Sequence, residues 1–271
     1  MNVTIIGCGW FGFPLAQRLL NVGYQVSGSK RASSSLGELK AAGINTFALD
    51  LSQNLTANEQ LAIKPFLESD HLIVCIQPSL RKQSSTSYLT QLQKLMSLVE
   101  AKQYKKMILV SSSSVYPDIE GVMKEDDASV HSESSQVMLA AEDLFLNHNN
   151  GYILRFSGLI GPKRPPGRFF SGKFEIPAGD KVVNLVHLED CIAAMVALLT
   201  ADSASKVYNV CSPHHPSRSE FYTQATLHFG GIQPSFLSDG IRGKEVSGVK
   251  ITNELDFSYQ FNDLYLALDA C

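Results

Sequence analysis

Short runs of β-branched and other apolar residues alternate along the chain with longer segments in which apolar positions recur at helical spacing. The extended runs are Val3 to Ile6, Gln25 to Ser27, Thr46 to Leu49, Leu72 to Ile76, Met107 to Val110 and Tyr152 to Arg155. Several are apolar throughout, as strands covered on both faces must be. Between them, Pro14 to Val22 places Leu15, Leu19 and Val22 on one helical face, and Tyr88 to Glu100 does the same with Leu92, Leu95, Met96 and Val99. Val137 to Phe145 carries Val137, Ala141, Leu144 and Phe145 on a common face. This alternation predicts an α/β fold, a Rossmann-type doubly wound parallel sheet wrapped by crossover helices, with a small C-terminal substrate lobe.

From Gly161 the texture changes to GPKRPPGRFFSGK, a long loop or the start of a smaller lobe. The chain is expected to return to the sheet near Val182 to Val186 and Val207 to Val210, with a helix from Cys191 to Leu199 between them. The expected domains are therefore residues 1–160, with sheet returns near 182–210, and a lobe made from 161–181 and 211–271.

The 271 residues suffice for one large domain plus a lobe, and 44% hydrophobic with 18% charged residues is ordinary globular composition. No apolar run approaches the roughly 20 residues a membrane-spanning helix needs. A net charge of −3 gives no electrostatic reason to expect nucleic acid, so a small molecule is the expected partner. The five cysteines are scattered without CxxC spacing and read as reduced thiols. Met1 leads almost directly into the apolar run at Val3, which leaves no room for an export signal. The expectation is a cytoplasmic protein.

The first strand ends in IIGCGWFG, which places Gly7, Gly9 and Gly12 in GxGxxG spacing between a strand and a helix. Gly7 permits the tight turn, Gly9 lets backbone approach a pyrophosphate, and Gly12 lets helix and strand pack closely. Trp10 and Phe11 stand in the same turn, as does Cys8, near a helix N-terminus that favours a thiolate but also where a small residue fills the bend. The second strand runs into SGSKR, where a chain built for NAD usually carries an acid for the ribose hydroxyls. Ser29, Lys30 and Arg31 suit a 2′-phosphate, so NADP is expected over NAD; the competing reading is a solvated loop.

In order, GCGWFG, SGSKR, LDLS, SSSSVYP, MLAAE, ILRFSGLIGP, VNLVHLEDC and VYNV resemble the extended short-chain dehydrogenase/reductase superfamily, in its NAD(P)-dependent epimerase/dehydratase branch acting on nucleotide sugars. The resemblance covers Val3 to about Val210 and thins beyond. It implies cofactor contacts from the glycine turn with Trp10 and Phe11, from Asp50 and Leu51 at the adenine, and from Gln77, Pro78 and Ser111. Ser112 matches the catalytic Ser or Thr that hydrogen-bonds the reacting hydroxyl, and Asn184 and His187 fall in a segment beside the substrate. His187 and Asp190 are equally readable as a strand-end hydrogen-bond pair. A homodimer is a further implication.

The family also places a YxxxK pair on the helix after the serine strand, with Tyr as acid/base and Lys lowering its pKa. Anchored on AAE, that helix carries Ser134 and Met138 at the two positions. No shift of register restores the pair, because Tyr116 to Tyr152 contains no tyrosine between its ends and Lys124 is its only lysine. His131 is the candidate substitute, with Glu133 and Glu125 behind it, all three also readable as exposed polar residues. The departure resembles atypical members of the superfamily.

The loop after Gly161 contributes Lys163, Arg164, Arg168 and Lys173 without an intervening acid, which suits an anionic ligand or simply solubility. Arg168 and Lys173 are the expected substrate contacts. His214 and His215 are adjacent and point apart, with no completing ligand at recognisable spacing, so no metal is expected. Two functions remain: an NADP-dependent oxidoreductase or epimerase-like enzyme acting on an anionic nucleotide sugar, and a non-catalytic NADP(H) redox sensor.

Overall fold

A computed structural model describes residues 1–77, 85–100, 102–202 and 205–271. In chain order the strands are β1 (Asn2–Ile6), β2 (Gln25–Lys30), β3 (Asn45–Ala48), β4 (His71–Val74), β5 (Lys106–Ser112), β6 (Gly121–Met123), β7 (Gly151–Phe156), β8 (Gly158–Ile160), β9 (Leu185–His187), β10 (Val207–Val210) and β11 (Lys244–Val246). The helices are α1 (Gly12–Asn21), α2 (Gly37–Ala41), α3 (Ala57–Leu67), α4 (Ser85–Val99), α5 (Glu133–Leu146), α6 (Leu188–Thr200), α7 (Arg218–His228) and α8 (Val249–Glu254).

Seven strands form one mostly parallel sheet in the order β10-β7-β5-β4-β1-β2-β3. From β1 the chain moves out one way to β2 and β3, then crosses back to β4 on the other side. Val3 accordingly faces Val26 on one side and His71 on the other, both parallel. The strand order reverses between β1 and β4, the place where doubly wound sheets open a crevice at their strand ends. Every residue of β4 and β7 is buried, which explains their largely apolar character, and α1 buries Leu15 and Leu19 as its periodicity predicts, together with Ala16, whereas Val22, expected on the same face, is the C-cap and is exposed because the helix has already ended.

Two compact units divide the chain within β5 and β7: Met1–Ser111 with Val130–Leu154, and Ser112–Ser129 with Arg155–Cys271. In the second unit, the return expected near Val182 to Val186 takes a different form. Leu185–His187 pairs with β8 in a separate two-stranded sheet, and β10 alone of the two expected returns joins the large sheet. Gly158 permits that pairing, since a Cβ there would lie 2.7 Å from a Leu185 methyl and 3.1 Å from the Asn184 carbonyl. The C-terminal segment, weakly patterned in sequence, packs Leu264, Ala267 and Leu268 with Phe221 and Ala225 of α7 and with Ile160, Val183 and Leu185.

Candidate active site

The turn after β1 gives each glycine a different physical role. Gly7 has φ +98°, a left-handed conformation, and a Cβ there would meet the Cys75–Ile76 backbone at 3.2–3.3 Å. Gly12 opens α1 so close to the turn that a Cβ would lie 2.4 Å from the Gly7 carbonyl oxygen. Around Gly9 a Cβ would meet nothing within 4 Å. That glycine is not required by packing, and it leaves bare backbone at the helix N-terminus, where a pyrophosphate is bound by N–H groups. The turn therefore fits a dinucleotide.

Cys8 points the other way, into the core, where its sulfur occupies the space a Cβ on Gly28 would need. Burial pushes its thiol up to about 12, so the helix N-terminus does not make it a thiolate at neutral pH. The Gly7 N–H donates to the Ser29 hydroxyl at 3.2 Å, and the Cys8 N–H donates to the Ser29 carbonyl at 2.8 Å. Ser29 is thus a strut of the turn. Trp10 is half-buried and Phe11 is buried beside it.

At the end of β2, the Lys30 ammonium lies 3.4 Å from the Glu38 carboxylate, while Arg31 extends into solvent with its Nε 4.0 Å from Asp50. Asp50 accepts both the N–H and the hydroxyl of Ser52, at 3.0 and 2.6 Å, and these bonds hold its carboxyl below the usual carboxylate range. Leu51 is buried. Gln77 is exposed just past β4, and Pro78 lies outside the described residues.

Helix α5 starts with serines rather than with chemistry. Ser132 is the N-cap, its hydroxyl accepting the Ser135 N–H at 3.1 Å, while the Ser135 hydroxyl accepts the N–H groups of Ser132 and His131, each at 2.9 Å. His131 stands before the N-cap and is exposed. Ser134 is half-buried, and Met138 is 3% exposed, its side chain part of the core. Among the described residues, the helix thus carries no titrating group at the positions of the usual pair.

One turn beyond Met138 is Glu142, 1% exposed, whose carboxylate accepts the Ser111 hydroxyl at 2.5 Å. In the sequence Glu142 stands out only as the end of the AAE landmark. The available signal is an acid on the apolar face of a helix, where burial requires a partner.

In the second unit, Ser112 is half-buried and its hydroxyl accepts the Ser114 N–H at 3.1 Å. Tyr116, fully buried, donates its hydroxyl to Asn209 at 2.6 Å and accepts Arg155 at 2.8 Å. Burial pushes its phenol up to about 12 in spite of the adjacent guanidinium. Its hydroxyl is thus engaged on both sides, by Asn209 and by Arg155. Glu125, expected to be exposed, is buried because its carboxylate accepts the Asn209 N–H at 2.9 Å and its carbonyl accepts Arg155 at 2.7 Å.

Asn184 and His187 are also bound into the scaffold. The Asn184 amide donates to the Lys244 carbonyl at 2.9 Å and accepts the Val246 N–H at 2.7 Å, clamping β11. His187 caps α6: Nδ1 accepts the Glu189 N–H, so Nε2 carries the proton and donates to the Ala270 carbonyl at 3.2 Å. Its ring packs on Phe261 with centroids 4.2 Å apart. Asp190 does not bond His187; it accepts the Gln260 and Phe261 N–H groups, and burial raises its pKa to about 6. His214 faces Asp263 at 2.9 Å, and His215 meets the Val183 carbonyl at 3.1 Å.

Left-handed backbone falls at one residue of the basic loop and at two in the segment that follows it. Lys163, Glu175 and Ala178 are non-glycine residues at φ +67°, +53° and +60°. Arg168 and Phe169 are exposed, and the Lys173 ammonium at 5.5 Å and the Arg218 guanidinium at 5.4 Å both lie over the Phe170 ring. No helix among the described residues is long and apolar enough to cross a membrane.

Known proteins share this fold. The chain is 36% identical over 267 residues to Protein YeeZ of Escherichia coli (strain K12), covering 97% of each. Its fold matches a putative NAD-dependent epimerase/dehydratase from Methylobacillus flagellatus with TM-score 0.82 and 24% identity, over 99% of this chain and 96% of that one. It matches UDP-glucuronic acid 4-epimerase from Bacillus cereus, solved with NAD, with TM-score 0.79 and 20% identity, over 100% and 97%. The family model that matches residues 3–211 spans β1 and its glycine turn, the serine strand, α5 and β10, so the chain belongs to the NAD dependent epimerase/dehydratase family.

Proposed function

We propose that this chain binds NADP(H) and acts as an oxidoreductase or epimerase-like enzyme on an anionic small molecule, a nucleotide sugar by class. The observation that carries the cofactor half is the end of β2, where Ser29, Lys30 and Arg31 stand in place of an acid, beside a turn whose Gly9 leaves backbone open to a pyrophosphate. Guanidinium and ammonium groups attract a 2′-phosphate that a carboxylate at this position would repel. The substrate half rests on four cations in the loop between Lys163 and Lys173, and on the fold shared with a UDP-glucuronic acid 4-epimerase solved with UDP-glucuronic acid and NAD.

The nicotinamide would supply hydride transfer when bound. The Ser112 hydroxyl would orient the reacting hydroxyl, and His131, exposed ahead of the α5 cap, would carry the proton. Arg168 and Lys173 would hold the substrate's phosphates, with Asn184 and His187 bracing the backbone of the same unit.

Calorimetric titration with NADPH, NADP, NADH and NAD, followed by turnover assays with UDP-sugars, tests the reading. Tight binding of both NADP forms, weak binding of the NAD forms and turnover that His131→Ala abolishes are expected. Equal affinity for NAD and NADP would remove the cofactor half, and unchanged turnover in His131→Ala would remove that residue's role.

A second reading is a non-catalytic NADP(H) redox sensor. It is favoured by the burial of Met138 where the family places a lysine. Strong discrimination between NADPH and NADP without turnover of any nucleotide sugar would select it.

A further inference from the structure

The two cations at the end of β2 are not equally available. Lys30 is the last residue of its strand; its ammonium lies 5.9 Å above the Phe13 ring and 3.4 Å from Glu38, and its side chain is 22% exposed. Glu38 is in the first turn of the short helix α2, which is fixed to the core by the buried Leu39, and its own side chain is 62% exposed. Arg31 is 65% exposed, and its nearest acid is Asp50 at 4.0 Å, whose facing oxygen is already bound twice by Ser52. One cation is held and the other is loosely tethered.

We propose that Glu38 sets the strength of the chain's preference for a 2′-phosphorylated dinucleotide, by competing with the phosphate for Lys30 and leaving Arg31 as the principal phosphate grip. This rests on the NADP reading above and deepens it. The electrostatics have one direction. A phosphate dianion drawn to Lys30 must displace or share it with a carboxylate of the same sign, so each unit of Lys30–Glu38 attraction opposes phosphate binding. A cofactor without the phosphate does not enter this competition. The pair is partly exposed and worth little to stability, so its loss changes selectivity without unfolding the chain.

The experiment is isothermal calorimetry of the full chain with NADPH and NADH, for the wild type and for Glu38→Gln, Lys30→Met, Arg31→Ala and the Lys30→Met/Glu38→Gln double variant, with melting temperatures recorded alongside. Glu38→Gln is expected to tighten NADPH about fivefold, equivalent to about 1 kcal/mol, and to leave NADH unchanged. The gain should vanish in the double variant, and Arg31→Ala should weaken NADPH more than Lys30→Met does. A wild-type preference for NADPH that Glu38→Gln leaves unchanged, or an equal change for both cofactors, would overturn this inference alone. A wild type that binds NADH as tightly as NADPH would overturn the cofactor reading and this inference with it.

Discussion

Replacing Gly12 and Gly9 by alanine in turn separates folding from binding within a single turn. At Gly12 the added Cβ would lie 2.4 Å from the Gly7 carbonyl oxygen and 3.2 Å from its carbon, where ordinary contact begins at 3.4 Å. Both neighbours are backbone, so relief requires α1 to move about 1 Å from the turn that follows β1. Overpacking of this kind costs ~1–3 kcal/mol. The helix preference for alanine returns at most ~1 kcal/mol, and less at the first residue of the helix. Gly12→Ala should therefore lower the stability of the first unit by ~1–2 kcal/mol in urea denaturation followed by circular dichroism. The shifted turn should weaken NADPH as well. At Gly9 nothing lies within 4 Å and φ is not left-handed, so alanine is accommodated. Its stability should match the wild type within ~0.5 kcal/mol, while its methyl occupies the approach to the helix N-terminus and reduces dinucleotide affinity tenfold or more. A Gly12→Ala chain as stable as the wild type would refute the close-packing argument. A Gly9→Ala chain that binds NADPH normally would refute the pyrophosphate placement.

Other parts of the scaffold give equally direct expectations. His71 is buried in β4 with neither ring nitrogen hydrogen-bonded, and burial depresses its pKa below 6.5. The unfolded chain then takes up a proton first as pH falls through 6.5, so stability falls with pH below that value. His71→Leu should gain on the wild type progressively as pH falls from about 7 to about 5 in urea titrations, and a constant difference would contradict the assignment. Glu142→Ala strands the Ser111 hydroxyl and opens a cavity, at a cost of about 3 kcal/mol by denaturation; a loss under ~0.5 kcal/mol would show the bond to be idle. Burial holds the thiols of Cys8 and Cys211 near 12, and Cys75 and Cys191 are raised too. Ellman's reagent at pH 8 should label none of these four quickly in the native state, and all of them after denaturation.

Local signals carry most of the sheet. A run such as LIVC or MILV needs no partner to announce a buried strand, and the three glycines after β1 are spaced by the geometry of one turn. The capping serines of α5 are visible as a cluster, though their use as a reciprocal cap depends on Ser135 folding back on Ser132. Pairs separated along the chain are silent: Ser111 and Glu142, Tyr116 and Asn209, Glu125 and the Asn209 backbone. Glu125 reads as exposed because nothing local records that a distant N–H needs its carboxylate. The strand at Leu185 is legible as a strand but not as a partner of β8, since pairing depends on the space beside Gly158 rather than on the pattern of either segment. At the candidate site, the turn can be read, while the roles of Asn184 and His187 as clamps of backbone cannot.

The unequal burial of Ser134 and Met138 makes the family's usual acid/base pair hard to install by single substitutions. A tyrosine at 134 could be admitted at the partly open surface of α5 with little disturbance. A lysine at 138 would carry an ammonium into a position now filled by a thioether at 3% exposure, a substitution penalised by desolvation unless neighbouring side chains change with it. The two substitutions therefore differ sharply in cost. Installing a lysine at 138 would therefore require rebuilding the buried side of α5 first, whereas a tyrosine at 134 would not.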